Sequence, residues 1–74
     1  MINIIKTPQP LTFELLPMTE CPAYKLLRSG ERCYRIFRTA EDATAYARTA
    51  AKGVEGAALL ICDPEGYTER RELL

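Results

Sequence analysis

The chain has 74 residues, enough for one domain and too few for two. At 47% hydrophobic residues it is too apolar for a disordered tail. Ten Lys plus Arg balance ten Asp plus Glu, so the strongly basic total of a dedicated nucleic-acid binder is absent.

The sequence opens with Ile2, Ile4 and Ile5, which read as a short first strand or an apolar arm. Pro8 and Pro10 then interrupt any regular element, because neither donates a backbone hydrogen bond. Residues 1–10 are therefore expected to be a flexible arm or a short edge strand. Thr12–Leu16 is apolar and short, and Pro17 closes it, which predicts a strand. Met18–Pro22 reads as a loop.

Ala23–Arg28 and Cys33–Arg38 are strand-like runs joined by Ser29-Gly30-Glu31-Arg32. Two such runs across a short polar segment containing glycine predict a hairpin. Tyr24 and Leu26 alternate with Lys25 and Leu27, and Tyr34 and Ile36 with Arg35 and Phe37. Both faces of the hairpin thus carry apolar residues.

Thr39 opens the clearest element. Its hydroxyl suits a helix N-cap, Asp42 stands where a capping-box acid belongs, and Glu41 and Asp42 suit the positive end of the helix dipole. Ala43, Ala47, Ala50, Ala51 and Val54 fall on one stripe at helical spacing, and Gly53 suits a C-terminal cap. A helix over Ala40–Lys52 follows, its alanine stripe lying close against a sheet. Ala57–Cys62 is a continuous apolar run of strand length, which suggests a strand buried on both faces or a central strand. Asp63-Pro64-Glu65-Gly66 is a turn, with Gly66 at the left-handed position. Tyr67–Arg71 returns as a charged edge strand.

The order is strand, strand, strand, helix, strand, strand. It predicts an α+β domain: a small antiparallel-rich sheet of four or five strands with one helix packed on one face. The expected core is Leu26, Ile36, Phe37, Ala43, Ala47, Ala51, Leu59 and Ile61. A crossover from Cys33–Arg38 through the helix to Ala57–Cys62 should be right-handed if those strands run parallel in one sheet.

The chemistry-bearing patterns are mostly missing. No histidine is present, which removes the commonest general base and zinc ligand. No phosphate-binding or dinucleotide-binding glycine motif occurs. Without a nucleophile, base and orienting group in any recognisable pattern, the expectation is a protein that is not an enzyme, with no cofactor, no metal and no small-molecule substrate implied. Asp63 and Glu65 resemble a carboxylate pair, but the turn explains them. Cys21, Cys33 and Cys62 are odd in number and form no C-x-x-C pair. They read as reduced, inert, buried thiols in a cytoplasmic protein. No signal-peptide pattern is visible at the start and no apolar run approaches a membrane span. Tyr24, Tyr34, Phe37 and Tyr46 are offered to the core before they are offered to stacked bases.

The distribution of charge is less even than its total. Lys25, Arg28, Arg32, Arg35 and Arg38 crowd the hairpin against Glu31 alone, while Glu55, Asp63, Glu65, Glu69 and Glu72 mark an acidic end. The five cations are candidate phosphate contacts if they share a face. The ordinary reading is a solvated surface of mixed charge.

Two resemblances follow from these residues. Phe37-Arg38-Thr39-Ala40-Glu41-Asp42-Ala43, then Ala47-Arg48 and Ala51, then Leu60-Ile61 and Asp63-Pro64-Glu65-Gly66 with Arg70, resemble a family of small bacterial proteins known as domain of unknown function 2188. The resemblance covers about residues 23–71. It implies a strand–helix–strand fold and a bacterial or phage origin, with no activity. The basic hairpin followed by Phe37, Thr39 and a helix is also similar to the arm-type DNA-binding domain of tyrosine recombinases, which lays a three-stranded sheet in the major groove. That likeness implies Lys25, Arg28, Arg32, Arg35 and Arg38 as nucleic-acid contacts, and it lacks a counterpart for Ala57–Cys62. Size, missing catalytic groups and the two-sided apolar hairpin lead to a non-catalytic module that binds a protein partner or itself. The alternative is a nucleic-acid-binding module built on residues 25–38.

Overall fold

The computed structural model describes residues 11–74. The arm or edge strand expected over residues 1–10 lies outside them. The described chain runs β1 (Thr12–Pro17), β2 (Tyr24–Arg28), β3 (Tyr34–Phe37), α1 (Ala40–Ala50), β4 (Ala58–Cys62) and β5 (Thr68–Leu73). The strands form one sheet in the order β3-β2-β1-β4-β5. Three of its pairings are antiparallel: β1 with β2, β2 with β3, and β4 with β5. β1 and β4 run parallel, from Thr12 opposite Ala58 to Leu15 opposite Ile61. The result is the expected α+β architecture, with a mixed sheet rich in antiparallel pairing.

Local chemistry accounts for the helix. Thr39 is extended at φ −130° and ψ 154°, and its Oγ1 accepts a hydrogen bond from the Asp42 backbone N–H at 3.0 Å. That satisfies one of the four orphan donors of the first turn. The helix stops at Ala50 with Ala51 as its cap, short of the expected Lys52. The Ala51 N–H still bonds to the Ala47 carbonyl at 2.9 Å, and the chain then turns away through Gly53 at φ +80°. Val54, expected on the apolar stripe, is 41% exposed for that reason.

The helix lies across β1, β2 and β3. Ala43 and Ala47 are fully buried against Phe13, Leu15, Leu26 and Leu59, with Ala51 and Ala57 beside them. Alternation along the strands then assigns the faces. Phe13 and Leu15 face α1. The register puts Arg28 and Leu26 on the same side, opposite them on β2, and Arg35 opposite Leu26 on β3. Phe37 is therefore on the helix side and is partly buried there, as is Ile61. Ile36, expected in the core, falls on the other face and is 56% exposed. The core instead takes Phe13 and Leu15 from the central strand. β4 is an interior strand, paired with β1 on one side and β5 on the other, and Ala58, Leu59 and Cys62 are its buried residues.

The turn after β4 forms as expected. The Gly66 N–H bonds to the Asp63 carbonyl at 3.0 Å and Gly66 sits at φ +95°. Asp63 Oδ1 accepts from the backbone N–H of Glu65 at 3.0 Å and of Tyr67 at 2.9 Å. The carboxylate is thus occupied in holding the turn. β5 follows as an edge strand whose pairing with β4 slips at Ile61/Cys62.

Candidate interaction surface

With α1 on one side, the other face of the sheet carries no described element. Parity places Leu16 on β1, Leu27 on β2, Tyr34 and Ile36 on β3, Leu60 on β4 and Leu73 on β5 on that face. Tyr34 is 50% exposed and Leu73 76%, while Leu16, Leu27 and Leu60 are half-buried. Tyr34, Leu27, Glu14, Leu60 and Arg71 stand side by side across five strands. Glu14 and Arg71 punctuate this row, and Lys25 stands between Leu16 and Ile36 in the next.

The helix side is sealed only in part. α1 covers the β1–β3 half, and a groove of about 680 Å³ opens over β4 and β5. Leu15 and Ile61 line its floor, Thr44, Ala45 and Arg48 its helix wall, and Arg70 the far wall, where its Nη2 lies 3.2 Å from Glu72 Oε1.

The five cations of the hairpin do not come together on one face. Lys25 is on the open face, with Nζ 5.3 Å from the centre of the Tyr34 ring. Arg28 and Arg35 are on the helix side. The Arg28 guanidinium sits 5.9 Å from the Phe13 ring and its Nε 3.8 Å from Glu31 Oε1. The Arg35 guanidinium stacks 4.8 Å from the Tyr46 ring, which in turn packs 5.4 Å from Phe37. Arg32 lies exposed in the hairpin turn and Arg38 exposed just past β3. Three of the five thus stand over aromatic rings of the domain. The alternating strand pattern carried this split, since Lys25 and Arg28 are three residues apart and so on opposite sides.

Among the aromatics, Tyr24, Phe37 and Tyr46 pack against the core, whereas Tyr34 is half exposed. Of the thiols, only Cys62 is buried; Cys21 and Cys33 are exposed, which corrects the expectation of burial for both. Cys33 precedes β3, outside the ladder, and Cys21 lies in the loop before β2, its Sγ 3.9 Å from Met18 Sδ. Burial raises the Cys62 thiol pKa. The hydrogen bond with the Thr68 hydroxyl pulls the other way, and the nearby carboxylates of Glu14, Asp63 and Glu69 add to the rise. The folded thiol pKa lies above the unfolded one. The stability tied to it is therefore present below the ordinary thiol range and lost as pH rises through the native value. A thiol reagent at neutral pH should modify two cysteines of the folded protein quickly, and the third only at the rate of unfolding, followed by mass spectrometry. Rapid modification of all three would contradict the burial of Cys62.

Among the described residues no cluster of histidine, cysteine or carboxylate side chains is placed to hold a metal ion. No buried side-chain nitrogen or oxygen there lacks a partner. No helix there is long and apolar enough to cross a membrane. No family model matches the chain, and neither does any curated protein or solved structure.

Proposed function

We propose that this domain is a non-catalytic protein-interaction module whose contact surface is the sheet face opposite α1. The observation that carries this reading is the band of Leu16, Leu27, Tyr34, Ile36, Leu60 and Leu73 on a face with no described element over it. Apolar side chains gathered on one accessible sheet face mark association sites on soluble domains. Tyr34 adds an aromatic anchor of the type enriched at interfaces. The punctuating charges of Glu14, Lys25 and Arg71 would set register and orientation more than affinity.

The test uses variants at the two ends of the band. Ile36→Ser and Leu73→Ser both act on exposed side chains and should leave the melting temperature close to that of the wild type. A partner captured by cross-linking, or the protein's own dimer in sedimentation equilibrium, should be bound at least about tenfold more weakly by the double variant. Unchanged affinity in the double variant would sink the reading. The alternative, nucleic-acid binding through Lys25, Arg28, Arg32, Arg35 and Arg38, is tested by anisotropy with labelled DNA at low salt. Tight binding that falls steeply with salt would replace the protein-partner reading.

A further inference from the structure

The two edges of the sheet differ in a way that points to a particular partner. At one edge, β5 carries Glu69, Arg70, Arg71 and Glu72 in succession, pairs Arg70 with Glu72, and meets its neighbour through a slipped register. Mixed charge and irregular pairing are the usual means of keeping an edge from recruiting another strand. At the other edge, β3 reads Tyr34-Arg35-Ile36-Phe37, with no proline, no glycine and an uninterrupted register to β2. Every second residue of β3 turns its N–H and C=O away from β2, towards a position that no strand among the described residues fills.

That edge is basic. Arg32, Arg35 and Arg38 are all exposed along it, and no carboxylate among the described residues stands within ion-pair distance of them. The nearby Glu31 lies against Arg28. A second copy pairing β3 against β3 would bring two such basic edges together, which disfavours self-association here. An incoming strand would also continue both faces of the sheet. Its residues on the open side would lie beside Tyr34 and Ile36, and those on the helix side beside Arg35.

We propose that the β3 edge accepts an extended segment of a partner protein as a sixth strand, with apolar residues on the open face alternating with acidic residues on the helix side. Backbone pairing supplies affinity, and the alternating side chains supply the choice of partner. The proposal rests on the interaction-module reading and names the partner class for it.

The test titrates the full chain with a capped peptide of alternating valine and glutamate, read by backbone amide shifts and hydrogen exchange. Two controls accompany it: the valine–lysine peptide, and a valine–glutamate peptide N-methylated at every second residue on its pairing edge. The expected result is slowed exchange within Tyr34–Phe37. Affinity should be at least about tenfold higher for the glutamate peptide than for the lysine peptide, weaker in high salt, and lost on N-methylation. Equal affinity for the two charge types, shifts centred on β5, or no binding would overturn the proposal. So would duplex DNA perturbing Arg32–Arg38 in place of the peptide, an outcome that transfers this edge to nucleic acid. The interaction-module reading is decided separately by partner affinity in Leu73→Ser alone, a single variant added to its test, since Leu73 lies on β5 at the opposite edge.

Discussion

Phe13→Ala is expected to lower unfolding free energy by about 3–5 kcal/mol, the range for truncating a buried phenylalanine. Phe13 and Leu59 are the largest fully buried side chains, and they sit opposite each other on the two parallel strands at the middle of the sheet. A domain of this length has roughly 4–11 kcal/mol in all, from the usual stability per residue. At the lower end of that range the variant sits close to its unfolding midpoint in dilute buffer. Urea titration followed by circular dichroism reads the change directly, with an unchanged slope locating the loss in the native state. The Arg28 guanidinium packed on the Phe13 ring loses its platform in the same variant. A loss below about 1 kcal/mol, within the range of ordinary surface substitutions and their scatter, would show that Phe13 does not hold the centre of this core.

Ala47→Leu should cost about 1–3 kcal/mol by overpacking. Ala47 and Ala43 are fully buried, and their lack of bulk is what lets α1 settle on β1 and β2. Three additional heavy atoms at position 47 must push the helix outward or force neighbouring side chains off their rotamers. Ala45→Leu supplies the contrast. Ala45 is exposed on the groove wall, so the same enlargement there should leave stability within about 0.5 kcal/mol. Equal losses at the two positions would mean that helix propensity, and not packing depth, governs the stripe.

Features set by neighbouring residues were legible before the coordinates. Thr39 announced the helix start, and Asp63 with Gly66 announced the turn, because each depends on hydrogen bonds within four residues. Which parity of β3 meets the helix was not legible. Ile36 and Phe37 are both large and apolar, and only the pairing of Leu26 with Arg35 decides that Phe37 turns inward. Phe13 and Leu15 escaped the expected core for a related reason. Their strand is short, and its central position comes from β4, 46 residues further along from Thr12 to Ala58. The basic hairpin looked like one patch in sequence, yet a two-residue repeat sends Lys25 and Arg28 to opposite faces. The apolar band became visible only when five strands were assembled in order.

The central pairing also shapes the order in which the chain can organise itself. β2–β3 and β4–β5 are hairpins closed by short loops, so each can form with little loss of chain freedom. The β1–β4 ladder must instead enclose everything from Pro17 to Ala58, helix included. Contacts so distant in sequence slow a domain's approach to its native state. Until that ladder closes, each half would expose the inner edge that the other half later covers, and this is the stage at which the chain is most open to pairing with a foreign strand.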